Sequence, residues 1–210
     1  IGQLPVQTDP AHVLTFRVSL PQQRYPLHAD VARFQRELLE RVTALPGVRG
    51  AALTSNLPYS GLMNRSYVTF EGRPDDGRPK AIAQIQNISP GFFSTLGIQM
   101  VEGAGFTGSE SADSRKVAVI TAAFARRFYG GESPVGHRLD LGDGKWWTVV
   151  GVAGDVMHDF TERTPQPVIY LPYVQSGWGA FDVAVQTAGD PMALVPAVRD
   201  IFYRRFDASK

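Results

Sequence analysis

The residues best suited to chemistry are Asp155, His158 and Asp159, which fall together in the segment DVMHD. An imidazole between two carboxylates could serve as a general base or supply part of a metal site. A metal would need at least one more ligand of suitable geometry, and His12, His28 and His137 lie in segments with no visible link to this one. Solvated side chains at a strand end account for the cluster equally well. Gly103, Gly105 and Gly108 match GxGxxG, the spacing of a dinucleotide-binding loop. Such a loop brings the backbone against a pyrophosphate at a helix N-terminus, whereas the polar run SESADSRK follows here, without an apolar helical stripe. The glycines therefore predict turns. No GxSxG elbow, HExxH pair or Walker-type phosphate loop occurs, and Ser60 beside Gly61 reads as a turn. The expectation is a protein with no catalytic constellation, no metal and no cofactor.

Other side chains suit contact better than catalysis. Tyr59, Met63 and Arg65, in the loop 57–66, are of types enriched at protein interfaces. Trp146 and Trp147 are adjacent, so in a strand they point to opposite faces, one into a core and one toward a neighbouring layer or a partner. These are the candidate partner-contact residues, with ordinary packing as the alternative.

The elements that would carry these residues follow from hydrophobic periodicity. Residues 12–20 alternate Val13, Thr15 and Arg17 against Leu14, Phe16, Val18 and Leu20, which predicts a strand with one buried face. From His28 to Leu45, Val31, Phe34, Leu38, Val42 and Leu45 recur at helical spacing, and Pro46-Gly47 stops the helix. A strand over 48–55 completes a βαβ-like unit. Near the other end Phe181, Val183 and Val185 alternate with polar or small residues. Asp190-Pro191 then offers an N-cap and a first-turn proline to a helix striped by Leu194, Val198, Ile201 and Phe202. These two half-repeats bracket a strand-rich insertion with strands predicted at 67–71, 81–88, 98–101, 116–120, 138–141, 146–152 and 168–171. Within it, Ser89-Pro90 and Thr121 should cap short helices closed by Gly97 and Gly130-Gly131, and GDGK at 142–145 should turn a hairpin.

Composition sets the remaining bounds. With 210 residues and 43% hydrophobic content the chain can bury a substantial core. Its 21 basic and 20 acidic residues leave no basic footprint for nucleic acid, and the absence of cysteine excludes disulfides and thiolate metal sites. The longest apolar run, 117–125, falls far short of the roughly 20 residues a membrane helix needs. The opening IGQLPVQTDP has neither a basic start nor a long apolar centre, so the chain reads as an excised piece of a longer protein.

Taken in order, HVLTFRVSLP, FQRELLERVTALPGVRGAALTSNLP, ISPGFFSTLGIQMVEGAGFT, VAVITAAFARRFYGGESPVGHRL and WTVVGVAGDV resemble the successive signature segments of the MacB-type periplasmic core domain of FtsX-like ABC transporter permeases. The resemblance implies an α+β fold of two subdomains. A Porter-like membrane-proximal part would comprise residues 1–55 and 176–210, and a Sabre-like outer part residues 56–175. It also implies a non-enzymatic extracytoplasmic domain, on the periplasmic side of a bacterial cytoplasmic membrane, that relays ATP-driven movement of flanking transmembrane helices to a partner or cargo outside. ATP would be hydrolysed by a separate cytoplasmic subunit or domain, a periplasmic adaptor or cargo protein would be the partner, and the isolated domain would be a monomer. A passive module binding a lipid, peptide or lipoprotein is the alternative reading.

Overall fold

A computed structural model describes residues 12–57, 64–73, 81–157, 164–176 and 179–206. Strand β1 (Val13–Ser19), helix α1 (His28–Thr43) and strand β2 (Val48–Thr54) form the first unit. Apolar faces of β1 and β2 must be covered, and α1 lays Val31, Phe34, Leu38 and Val42 over Val18 and Leu53. The unit is split, however: the late strand β10 (Ala180–Thr187) lies between β1 and β2, antiparallel to both, from Val13 opposite Gln186 to Ser19 opposite Ala180. Phe181, Val183 and Val185 of β10 join the same apolar cluster. Asp190 Oδ1 accepts from the Met192 amide at 2.9 Å, Pro191 follows it in a 3₁₀ turn, and α5 (Val195–Phe206) brings Val198 onto the core.

The middle of the chain supplies β3 (Arg65–Phe70), β4 (Ala81–Ile88), β5 (Met100–Gly103), β6 (Val117–Thr121), β7 (Arg138–Asp140), β8 (Trp146–Ala153) and β9 (Val168–Pro172). Strands β4, β3, β7, β8, β6 and β9 each pair with the next, and β9 pairs back on β4 in parallel from Gln84 opposite Val168 to Ile88 opposite Pro172. The strands thus close into a small barrel, whose interior is filled by side chains as its size requires. Val68, Ala83, Ile85, Ala118, Ile120, Leu139, Trp147, Val149, Ile169 and Leu171 share this core. Helix α3 (Ala122–Tyr129) follows β6 directly and adds Phe124 and Tyr129 to it. Arg73 clamps α3 from outside, its guanidinium 4.3 Å from the Phe70 ring centre and donating to the Phe128 carbonyl at 2.7 Å.

Outside the barrel wall, α2 (Phe92–Thr95) buries Phe92 and Phe93 against Tyr170, with ring centres 5.7 and 5.1 Å away. A short α4 (Tyr173–Ser176) follows β9. This second cover explains why all of β6, VAVIT, is buried: one face looks into the barrel and the other meets the α2 layer. The expected cap at Ser89 is corrected. Gly91 stands at the N-cap with no side-chain bond, while Ser89 Oγ accepts from the Leu53 amide of β2 at 2.9 Å. A long-range strand pairing has taken the hydroxyl a local cap would use. Thr121 does cap α3, accepting from the Phe124 amide at 3.3 Å, and Gly130 closes it at φ 59°.

Candidate functional site

Asp155 follows β8 and is committed to structure. Its Oδ1 accepts from the Ala123 amide at 2.6 Å and its Oδ2 from Arg126 Nη2 at 2.6 Å, so the carboxylate serves the open N-terminus of α3. His158 and Asp159, as well as Tyr59, Ser60 and Met63, lie outside the described residues. Among the described residues no group of three or more His, Asp or Glu side chains is placed to hold a metal. The glycine spacing has a backbone explanation. Gly103 has φ +65°, and a Cβ there would fall deep within contact distance of the Val150 carbonyl; one at Gly151 would strike the Ala104 carbonyl equally hard. The chain crosses β8 at closest approach, then turns at Gly108, where partial burial pushes the Glu110 carboxyl up but bonds from the Thr107 and Gly108 amides outweigh it and hold the carboxyl low.

The surface side chains gather on one outward face of the barrel. Trp146 opens β8 opposite Asp140 and is 39% exposed, with the Arg138 guanidinium 5.9 Å from its ring centre. Arg138 is paired with Glu71, and their hydrogen bond holds the Glu71 carboxyl below its usual range. Arg65 begins β3 opposite Gln84 on an exposed position. Trp147 is corrected: it is 3% exposed, turned into the barrel opposite Leu139, and has no surface to offer a partner.

Two members of this face escaped the sequence reading. Tyr67 is 60% exposed and sits directly across from Ile82, 48% exposed, at the β3–β4 rung next to the one that holds Val68 and Ala81. The signal was available in the two-residue period: Ser66, Val68 and Phe70 turn inward, which leaves Tyr67 beside Arg65 and Thr69 on the outside. Tyr67 and Trp146, both exposed, and Arg65 and Arg138 are of the residue types on which protein interfaces concentrate their binding energy. Among the described residues the arrangement is an exposed aromatic and cationic surface.

A family model described as the MacB-like periplasmic core domain matches residues 6–201. Among curated proteins no sequence matches the chain. Three solved structures share the fold at low identity. The periplasmic region of MacB from Actinobacillus actinomycetemcomitans is 12% identical with a TM-score of 0.62, over 92% of this chain and 83% of that one. The extracellular domain of the noncanonic ABC-type transporter YknZ from Gram-positive bacteria is 16% identical with a TM-score of 0.53, over 77% and 76%. A domain of a permease protein from Porphyromonas gingivalis is 18% identical with a TM-score of 0.55, over 91% and 82%. With the described residues of the matched stretch folded as the split sheet and barrel above, the chain belongs to the family of MacB-like periplasmic core domains.

Proposed function

We propose that this chain is a non-enzymatic extracytoplasmic domain of an ABC transporter permease, relaying ATP-driven movement of membrane helices to a partner or cargo outside the membrane. The observation that carries the reading is the placement of the two ends of the fold. Strand β1 and helix α5, the first and last described elements, belong to the same three-stranded layer, while the barrel is inserted between β2 and β10. Force applied through flanking membrane segments would enter that layer first and reach the barrel second. Residues 1–55 with 176–210 are accordingly the membrane-proximal, Porter-like part, and residues 56–175 the outer, Sabre-like part.

The domain lies on the periplasmic side of a bacterial cytoplasmic membrane and works with its own flanking helices and a cytoplasmic ATPase subunit or domain. Arg65, Tyr67, Ile82 and Trp146 present the barrel to an adaptor or cargo protein. In the permease reconstituted with its ATPase, nitroxide labels on the barrel at Lys145→Cys and in a flanking membrane helix measure the relay. A nucleotide-dependent change in their distance distribution is the expected result. An identical distribution with and without bound ATP, while ATP is hydrolysed, overturns the reading.

A further inference from the structure

Among the described residues, the three-stranded layer and the barrel share one ladder contact, centred on Thr54 of β2 opposite Ile88 of β4. A hydrogen-bonded antiparallel pair normally exchanges two N–H···O=C bonds. Both flanking pairs depart from this in the same way. Ser55 N donates to the Asn87 carbonyl at 2.8 Å, but Asn87 N donates to the Ser55 hydroxyl at 3.1 Å. Ser89 N donates to the Leu53 carbonyl at 3.0 Å, but Leu53 N donates to the Ser89 hydroxyl at 2.9 Å. On each rung a serine Oγ stands where the serine's own carbonyl would close the ladder. Each such carbonyl has two lone pairs, and the one on Ser89 spends a single one on the Phe92 amide at 3.1 Å.

The surroundings suit a small change of angle. A void of about 10 Å³, near the lower limit for one water, adjoins Ser55 and Asn87 and is also lined by Gln35, Thr54 and Tyr173. On the other side, α2 follows β4 in the chain and packs on the three-stranded layer over the small residues Gly50 and Ala52, where a Cβ added at Gly50 would lie 3.1 Å from Thr95 Oγ1. Gln86 spans the junction by side-chain bonds alone, from its Nε2 to Thr54 Oγ1 at 3.0 Å and to the Asn56 carbonyl.

We propose that the β2–β4 junction is a hinge with two hydrogen-bond-equivalent settings, one bridged by the Ser55 and Ser89 hydroxyls and one zipped directly through their carbonyls, so that layer and barrel re-angle without losing a backbone hydrogen bond. Hinges of this kind place the conformational change in a few element-terminal residues. The proposal deepens the relay reading and depends on it for its purpose, but it is tested on this chain alone. A rigid junction would leave the permease experiment open, and an uncoupled permease would leave the hinge intact.

The chain has no cysteine, so Arg41→Cys on α1 and Lys145→Cys on the β7–β8 hairpin give unique attachment points for nitroxide labels. With a hinge, Ser55→Ala removes the bridged setting at its rung, and the label distance distribution narrows or shifts. The Asn87 amide stays protected from hydrogen exchange within about twofold of the parent, because the Ser55 carbonyl takes over as acceptor. Ser55→Thr, which keeps the hydroxyl, restores the parent distribution. The proposal is overturned if Ser55→Ala leaves the distribution unchanged and the Asn87 amide exchanges roughly five- to tenfold faster, the loss expected when a hydrogen bond has no substitute. A parent distribution that Ser55→Thr fails to restore counts against it as well.

Discussion

Substitution of Asp182 tests how the entry to the barrel is anchored. Asp182 belongs to β10, its side chain is 8% exposed, and it accepts from Arg17 Nη1 through both carboxylate oxygens at 3.1 Å. Its Oδ2 also accepts from the Leu57 amide at 3.0 Å, just where the chain leaves β2 for the inserted strands. In Asp182→Ala the partly buried Leu57 amide loses its acceptor, a cost of about 1–2 kcal/mol. The Arg17 side chain is 43% exposed and regains water, so the ion pair adds only about 0.5–1 kcal/mol after allowance for screening. The sum, about 1.5–3 kcal/mol, corresponds to a fall in melting temperature of roughly 3–12 °C for a domain of this size. Asp182→Asn keeps an acceptor for Leu57 and should lose about 1 kcal/mol, and Arg17→Leu about 0.5–1 kcal/mol. Urea unfolding at constant slope separates the three variants. If alanine and asparagine lose the same amount within about 0.5 kcal/mol, the Leu57 contact contributes nothing and the reasoning fails.

Two further substitutions address the glycine crossing and the exposed ion pair. Gly103→Ala combines a positive φ with a collision against the Val150 carbonyl and should destabilise by at least about 2 kcal/mol, whereas Gly130→Ala, with φ +59° and open space around it, should cost about 1 kcal/mol; equal melting temperatures would contradict the close crossing. Hydrogen bonding from Arg138 lowers the Glu71 carboxyl, so the stabilisation it brings is present above the unfolded glutamate value and is lost as pH falls through the lower folded one. A carboxyl NMR titration should therefore show the Glu71 midpoint below that of free glutamate and its return toward the free value in Arg138→Ala, and an unmoved midpoint would show that the pair is not formed.

Local chemistry made most of the elements legible. The period of two in 65–70 and the period near 3.6 in α1 read directly as strand and helix, and Thr121 and Asp190 announced their helices because a cap acts within a few residues. What local chemistry could not carry was pairing between distant segments. Nothing near Gln84 signals that it will lie beside Val168, and nothing in 12–20 signals that β10 will separate β1 from β2. Ser89 shows the same limit at the scale of one hydroxyl, since its partner Leu53 is remote in sequence. The exposed face was half legible: alternation established that one tryptophan faces out, but only the register against Leu139 and Asp140 decides that it is Trp146. Asp155 was visible as a carboxylate and misleading as a catalyst, because its partners Ala123 and Arg126 enter only through the fold.

The interposition of β10 between β1 and β2 has a consequence for biogenesis. Until Ala180–Thr187 has emerged, β1 and β2 expose apolar faces and unpaired edges with no third strand between them, and the barrel likewise waits for Val168–Pro172 to seal against β4. Assembly must then bridge long sequence separations, which slows folding and prolongs exposure of sticky intermediates. A chain delivered N-terminus first across a membrane would spend that interval unprotected, so its yield should depend on chaperones that hold extended β segments and should fall steeply when the last strand is delayed.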